Sequence, residues 1–278
     1  MTFRCDNCGY QGAKWMGFCP QCSDGGPLTE VAETTRSRSK RRGSAPVPIT
    51  LGDQPASGVV RTSTGVGELD RVLGGGLVDG SVVLLGGEPG VGKSTLLLQM
   101  AGSLAAGGHG VLVASAEESA QQVGLRAQRL GVESEVLLLA EDDVDSVIAA
   151  AREVNPKVLV MDSVQTVGAP EIASAPGSVT QVREASSRLI RYAKTSGTSV
   201  VLVGHVTKDG GLAGPKTLEH MVDVVLSLEG DPDRGFRALR SFKNRFGATH
   251  LVALFEMLTE GMIEVADPSE AFLAEWQS

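Results

Sequence analysis

One ten-residue segment, GGEPGVGKST at positions 86–95, limits the folds open to this chain more than any other feature of its sequence. Four of its residues satisfy the pattern G-x-x-x-x-G-K-[ST]: Gly87, Gly92, Lys93 and Ser94. The apolar run Ser81–Gly86 before the segment predicts a buried strand, and apolar residues at helical spacing after it predict a helix over Lys93–Ala106. Strand, glycine-rich loop and helix in this order form a P-loop, whose backbone N–H groups surround phosphates.

The predicted loop assigns a chemical role to two of its side chains. Lys93 is expected to reach the β- and γ-phosphates of a nucleotide, and the Ser94 hydroxyl is expected to bind Mg²⁺. The expected cofactors are therefore ATP and Mg²⁺, and the alternative is a glycine-rich turn that merely resembles a P-loop. The expected nucleotide-binding residues of the loop are Gly87, Glu88, Pro89, Gly90, Val91, Gly92, Lys93, Ser94 and Thr95.

Strand and helix patterns alternate along the rest of the chain. Further strands are predicted at Val111–Ala116, Val136–Leu139, Val158–Met161, Ser199–Gly204 and Val224–Leu228. Further helices are predicted at Ser119–Leu130, Asp143–Val154 and Val179–Thr195. This alternation predicts an α/β fold with a mostly parallel central sheet covered by helices on both faces. Ligands bind beyond the carboxyl ends of the strands in such sheets, so polar residues there are candidates for function.

Three predicted strands end in polar residues that could act on a bound nucleotide. Asp162 ends the run VLVMD as a Walker B carboxylate does and is expected to hold Mg²⁺, with an N-cap or turn role as the alternative. Glu117 and Glu118 follow VLVASA. Glu117 is expected to polarise the attacking water, although one of the pair could instead cap the following helix. His205 follows SVVLVG, where it could sense the γ-phosphate or be purely structural.

All four cysteines lie within the first 22 residues, at Cys5, Cys8, Cys19 and Cys22. Two Cys-x-x-Cys knuckles can complete one tetrahedral Zn²⁺ site, so we expect a small zinc finger over residues 1–30. Zinc is favoured over disulfides because nothing indicates secretion, and the absence of a His or open ligand position argues against a catalytic ion. Trp15 and Phe18 are expected to pack over the sulfurs, or to stack on a base.

Composition changes between this finger and the P-loop. Residues 31–58 are rich in Thr, Ser, Arg, Pro and Gly and predict a flexible basic linker, whose five positive charges over 36–42 could contact phosphates or simply be solvated. The net charge of −8 excludes a uniformly basic nucleic-acid-binding coat. No uncharged apolar run approaches the about 18 residues of a membrane span, and no signal peptide is evident, so we expect a cytoplasmic protein without membrane contact. Residues 59–278 are expected to form one large domain.

Several segments together resemble the RadA (Sms) family of bacterial DNA repair proteins. They are KWMGFCPQC, TGVGELDRVLGGGLVDGSVVLLGGEPGVGKSTLLLQ, GHVTKDG, LEHMVD and FKNRFG, and the likeness runs from Thr2 to about Leu273. The resemblance implies a RecA-like ATPase core preceded by the zinc finger. It further implies a homohexameric ring on single-stranded and branched DNA, which uses ATP for branch migration or unwinding during recombination, with RecA as partner.

The same resemblance assigns roles residue by residue. The family's phosphate loop falls on Gly87–Thr95, its Walker B carboxylate on Asp162, and the Lys and Arg of its KNRFG motif on Lys243 and Arg245. The latter two follow a strand-like run, Phe236–Phe242, with no evident carboxylate partner on their own chain. We therefore expect them to reach the γ-phosphate bound by a neighbouring subunit, with a DNA-contacting or structural role as the alternative.

Two matters remain open at the level of sequence. The family continues past the segment Pro268–Leu273 into a Lon-protease-like domain, whereas this sequence ends at Ser278, so that domain is expected to be absent. Two other function classes are also compatible with the P-loop. One is a RecA-like signalling ATPase or kinase, which leaves the finger and KNRFG unexplained. The other is a scaffold that holds ATP without hydrolysis, against which the set Lys93, Ser94, Asp162 and Glu117 argues.

Overall fold

The protein is described from a computed structural model, which covers residues 2–5, 10–12, 14–22, 27–31, 59–132, 135–175, 177–204, 217–230 and 235–265. The chain divides into two units, Met1–Ser57 and Gly58–Ser278. Several features that the sequence singles out lie outside the described residues: Cys8, His205 with the residues that follow it in GHVTKDG, the segment Pro268–Leu273, and all of the predicted linker except Val31.

The first unit contains a three-stranded antiparallel sheet. Strand β1 (Thr2–Arg4) lies between β2 (Gln11–Gly12) and β3 (Thr29–Val31). The buried residues described in this unit are Cys5, Cys19 and Leu28, with Phe3, Tyr10, Met16 and Cys22 packed against them. A core this small contributes little hydrophobic stabilisation, so a metal held by the cysteines would have to supply much of the folding free energy.

The second unit is built on a nine-stranded sheet, next to which β4 (Arg61–Thr62) and β5 (Leu77–Val78) form a separate short pair. Six strands are parallel: β6 (Val82–Gly87), β7 (Val111–Ser115), β8 (Leu137–Ala140), β9 (Val158–Asp162), β10 (Ser199–Val203) and β11 (Val224–Gly230). Three strands form an antiparallel extension: β12 (Phe236–Asn244), β13 (Val252–Leu258) and β14 (Gly261–Glu264). The order across the sheet is β14-β13-β12-β11-β6-β10-β9-β7-β8.

Helices cover both faces of this sheet. They are α1 (Gly67–Leu73), α2 (Lys93–Ala106), α3 (Ala120–Arg129), α4 (Val144–Val154), α5 (Val179–Ser196) and α6 (Thr217–Met221). Alternate residues of each central strand enter different cores because side chains alternate across a strand. On β6, Val83 and Leu85 pack with α1 and α2, whereas Val82 and Leu84 pack with α4 and α5. Burial on both faces explains why the central strands read as unbroken apolar runs.

The predicted α/β fold with a mostly parallel sheet is confirmed. Each of the six predicted parallel strands and four predicted helices is present, with ends that differ by at most two residues. The elements of the second unit that were not predicted from the sequence are α1, α6, β4, β5, β13 and β14. Within the described residues, no helix combines the length and the apolar character that crossing a bilayer requires.

Candidate nucleotide-binding site

The P-loop connects β6 to α2 at the carboxyl edge of the parallel strands. Gly87 ends β6 beside Leu228 of β11, so close that a Cβ at this position would lie 2.6 Å from the Leu228 carbonyl oxygen. Gly92 directly precedes α2 with a φ of 112°, a left-handed conformation that side chains disfavour. The glycines of the motif are therefore required by the path of the backbone.

Lys93 is the first residue of α2, and it is only 5% exposed. Its Nζ donates to the carbonyl oxygens of Gly87 and Glu88, each at 2.9 Å, and so connects the start of α2 to the start of the loop. Burial lowers the pKa of Lys93, while the carboxylates of Asp162 and Glu117 act in the opposite direction. The ammonium group and two carboxylates therefore share one region at the end of the sheet.

Ser94 and Asp162 are brought together, as the sequence predicts for a magnesium site. Asp162 is the last residue of β9, and its carboxylate accepts a hydrogen bond from the Ser94 side chain. Burial raises the pKa of Asp162, the Ser94 hydrogen bond lowers it, and the negative charges of Glu117 and Glu118 raise it further. A hydroxyl and a carboxylate of this kind are hard oxygen ligands suited to Mg²⁺, and a bound cation would relieve the crowding of negative charge.

Glu117 and Glu118 follow β7, but their side chains have different partners. Glu118 Oε1 forms an ion pair with Arg126 Nη2 of α3 at 2.6 Å. Glu117 Oε1 accepts a hydrogen bond from the Oγ of Ser163, the residue that directly follows Asp162 in the sequence. Ser119 is the N-cap of α3, in a capping box with Gln122, so neither glutamate caps that helix. The two carboxylates therefore have different partners, and both lie close enough to Asp162 to raise its pKa.

The KNRFG residues make contacts within their own chain that the sequence does not predict. Lys243 Nζ donates to the carbonyl oxygens of Glu219 at 2.7 Å and Val222 at 2.8 Å, at the end of α6. Arg245 Nη1 forms an ion pair with Asp223 Oδ1 at 3.1 Å. The expectation that these cations lack a carboxylate partner on their own chain is therefore wrong for Arg245. Strand β12 ends at Asn244, so Arg245 lies outside the strand. The side chains of Lys243 and Arg245 accordingly have different partners.

The register of the sheet places these two residues far from the P-loop of the same chain. Leu228 of β11 pairs with Gly87, whereas Val225 of β11 pairs with Lys243. Three residues of extended strand correspond to about 10 Å. The Arg245 N–H bonds the carbonyl oxygen of Asp223, which is two residues farther still from the loop. Lys243 and Arg245 thus lie at the amino end of the parallel strands, opposite the nucleotide site.

Two residues that contact the site were not selected from the sequence. Ser163 is fully buried and orients Glu117, and Arg237 of β12 donates from Nε to the carbonyl oxygen of Val91 at 3.0 Å. The position of Ser163 directly after the Walker B aspartate was a usable signal. Arg237 gave none, because its proximity to the loop arises from strand pairing across the sheet.

The first unit carries a separate candidate metal centre. The Sγ atoms of Cys5, Cys19 and Cys22 lie within 4.8 Å of one another, and those of Cys5 and Cys22 are 3.7 Å apart. Sulfurs at about 2.3 Å from a tetrahedral Zn²⁺ would be about 3.8 Å apart, so the described cysteines fit zinc. Trp15 and Phe18 are 61% and 68% exposed, which makes the expectation that they pack over the sulfurs wrong.

Comparison with known proteins agrees with both sites. A family model described as an AAA domain matches residues 65–211, more than half of the chain. The chain belongs to the AAA domain family. A second model, described as a rubredoxin metal-binding domain, matches residues 3–29 and includes all four cysteines. The AAA domain thus contains the P-loop, Glu117 and Asp162, and the predicted four-cysteine metal module is confirmed as a separate match.

Similar proteins extend the likeness beyond this AAA domain. The DNA repair protein RadA of Bacillus subtilis strain 168 is 48% identical over 287 residues, which cover 98% of this chain and 61% of the relative. RadA of Pseudomonas aeruginosa PAO1 is 48% identical over 280 residues, covering 99% and 62%. The predicted resemblance is confirmed, and the chain spans about three fifths of the length of these relatives.

A solved structure supports the fold alone. A KaiC-like protein from Pyrococcus horikoshii OT3 superposes with a TM-score of 0.62 at 21% identity, covering 74% of this chain and 99% of its own. This confirms the RecA-like P-loop architecture of the second unit.

Proposed function

We propose that this chain is a DNA-dependent ATPase of DNA repair, which hydrolyses ATP while bound to single-stranded or branched DNA. The observation that carries the proposal is the convergence of Lys93, the Ser94–Asp162 pair and Glu117 at one edge of the sheet. The curated relatives named DNA repair protein RadA support DNA as the polymer. We further infer branch migration or unwinding of recombination intermediates in the cytoplasm, with the RecA recombinase as partner.

The residues of the site divide the work of hydrolysis. The loop Gly87–Thr95 binds the triphosphate through its backbone N–H groups, and Lys93 leaves its two carbonyl partners for the β- and γ-phosphates. Ser94 and Asp162 would hold Mg²⁺, which when bound neutralises phosphate charge. Glu117, oriented by Ser163, accepts a proton from the attacking water. His205, which follows β10 in the sequence and lies outside the described residues, is assigned to sensing the γ-phosphate.

Lys243 and Arg245 are proposed to act on the nucleotide of a neighbouring subunit in a homohexameric ring. Their distance from the P-loop of their own chain supports this reading, because neither side chain spans the separation set by the sheet register. In such an assembly Arg245 would exchange the Asp223 carboxylate for the γ-phosphate of the adjacent site.

ATP turnover with and without single-stranded DNA tests the proposal. The unmodified chain should release phosphate, and DNA should accelerate the release. Lys93→Ala should abolish turnover and weaken nucleotide binding, because the phosphates lose their buried cation. Lys157→Ala is the matched control, since the Lys157 side chain forms a surface ion pair with Asp79 and the substitution keeps the backbone hydrogen bonds of that residue.

Three results would contradict the assignment. An equal rate of ATP turnover with and without single-stranded DNA would contradict the DNA-dependent part of the proposal. If ATP labelled at the γ-phosphate transfers its label to protein instead of releasing it as free phosphate, the kinase alternative is favoured. Tight ATP binding without any turnover would favour the scaffold.

A further inference from the structure

Arg237 is a buried cation directed at the P-loop from the antiparallel side of the sheet. It lies on β12 between Gly230 of β11 and Phe255 of β13, and it is only 7% exposed. A Cβ on Gly230 would lie 2.3 Å from Arg237 Cδ, so the side chain passes through space that only glycine leaves free. The local sequence is therefore arranged to let this arginine cross the end of β11.

Among the contacts described, the guanidinium group makes one with its own strand and one with the loop. Its Nε donates to the carbonyl oxygen of Val91 at 3.0 Å, and its Nη1 donates to the carbonyl oxygen of Phe236 at 2.8 Å. Val91 directly precedes Gly92, the residue before α2. One contact thus anchors the arginine to its own strand, and the other reaches the loop that would bind phosphate.

Because a peptide group is planar, the contact of Arg237 with the Val91 carbonyl also sets the direction of the Gly92 N–H. In a trans peptide the carbonyl of one residue and the N–H of the next point in opposite directions. The Val91–Gly92 peptide is trans, because Asp162–Ser163 is the cis bond among the described residues. Holding the Val91 carbonyl toward Arg237 therefore directs the Gly92 N–H away from it. N–H groups at this position of a P-loop are the ones that bind phosphate oxygens.

Other contacts from the same extension hold the start of α2. A Cβ on Gly92 would lie 2.1 Å from the Met262 methyl carbon and 2.5 Å from that of Met257, so these two side chains pack directly on the glycine. The Gln99 amide of α2 exchanges two hydrogen bonds with the Met262 backbone, at 2.9 and 3.2 Å. The loop is therefore fixed against β12–β14 on both sides of Gly92.

We propose that Arg237 is a positioning residue for nucleotide binding, which holds the Val91–Gly92 peptide so that the Gly92 N–H donates to a phosphate oxygen. The inference rests on the proposed function, because it assigns the loop a nucleotide phosphate. Arg237 itself need not touch the nucleotide; it acts through the loop.

The test measures binding of a fluorescent ADP analogue and Mg²⁺ to the full chain, together with melting temperature with and without ADP. Arg237→Met keeps the length of the side chain and removes the donors. Arg240→Met is the matched control on the same strand, because Arg240 is half exposed and pairs with Glu229. Arg237→Met should weaken binding about tenfold or more, because the Gly92 N–H is no longer held in line with the charged phosphate oxygen and their hydrogen bond is lost. Arg240→Met should bind as the unmodified chain does.

The melting temperatures separate positioning from a merely structural role. A positioning role predicts that the rise in melting temperature produced by ADP is largely lost in Arg237→Met, because that rise reports affinity. A structural role would lower the melting temperature without ligand and leave the rise intact, and this result would overturn the proposal. If Arg237→Met does not fold, Arg237→Lys replaces it. Lysine keeps the charge but places a methylene where Nε lies, so it should show the same loss of affinity.

The remaining outcomes are also decisive. Equal affinity of the unmodified chain, Arg237→Lys and Arg240→Met would overturn the positioning role and leave the proposed function standing. Absence of binding by the unmodified chain would overturn both.

Discussion

Asp223 lies buried at the amino end of β11, where it joins several polar groups. Its Oδ2 accepts from the Val82 N–H at 3.0 Å and from Lys194 Nζ at 2.6 Å, and its Oδ1 pairs with Arg245. Burial alone would raise the pKa of Asp223. The hydrogen bonds from Lys194 and Val82 and the charges of Lys194 and Arg245 outweigh burial, so the pKa of this carboxyl lies below its usual value.

Asp223→Asn should lower the free energy of unfolding at pH 7 by about 1–3 kcal/mol, because two cations lose a charged partner. The native pKa is below the unfolded value of about 3.9, so the stabilisation is complete above about pH 4 and disappears as the pH falls through the native pKa. Urea unfolding from pH 7 to pH 3 should show the gap between variant and unmodified chain narrowing only below about pH 4. Asp79→Asn, at an exposed ion pair, is the control and should cost less than about 1 kcal/mol. A gap that is constant with pH would contradict the assigned charge of Asp223.

A second prediction for single residues concerns which of the adjacent glutamates, Glu117 or Glu118, accepts the proton during ATP hydrolysis. Glu117→Gln should slow ATP turnover by about 10²–10⁴-fold while nucleotide binding persists, because a proton acceptor is lost but the side chain still hydrogen-bonds. Glu118→Gln is the matched control, and it should affect turnover little because its described partner is Arg126. Phosphate release and analogue binding measured on both variants decide the matter. Slow turnover in Glu118→Gln with normal turnover in Glu117→Gln would reverse the assignment.

At the scale of elements, the cysteine knuckles of the first unit should determine whether that unit folds. Protein purified without chelator should contain about one zinc per chain, measured by elemental analysis. Cys5→Ser should lower that content, because Cys5 is buried against Cys19 and Cys22. Trp15→Ala is the control, since the Trp15 side chain is exposed and should leave the metal content unchanged. Metal-free protein with an intact first unit would contradict a structural zinc site.

The parallel strands could be predicted from sequence because their signal is local. Val82–Gly87 is apolar throughout because helices cover both of its faces, and its connection to the P-loop fixes its place in the sheet. The antiparallel extension could not be predicted in the same way. β13 and β14 alternate only partly between buried and exposed residues, and their position over Gly92 is a long-range contact. Arg237 was missed for a related reason, since its partner Val91 lies far along the chain, whereas the position of Ser163 next to Asp162 was a local signal.

At the scale of the whole molecule, the proposed action of KNRFG on a neighbour's nucleotide requires a repeated head-to-tail contact between chains. The P-loop and KNRFG lie at opposite ends of the parallel strands, so a neighbour's KNRFG would complete a site through two different surfaces. Mixing Lys93→Ala chains with Arg245→Ala chains should therefore restore part of the DNA-stimulated turnover, because some interfaces combine an intact loop with an intact arginine. Each variant alone is the control. No recovery in mixtures that demonstrably co-assemble would leave Arg245 as a structural or DNA-contacting residue.

The pairing of Gln99 with the Met262 backbone also has a consequence for synthesis of the protein. The two residues are 163 positions apart, so the ribosome completes the phosphate-binding motif long before it makes the strand that holds the motif in place. A nascent chain that has emerged only to β11 would carry the whole motif with neither Arg237 nor the methionines against it. Full affinity for nucleotide should thus be acquired late, once β13 and β14 have left the exit tunnel, and shorter nascent chains should bind ATP more weakly.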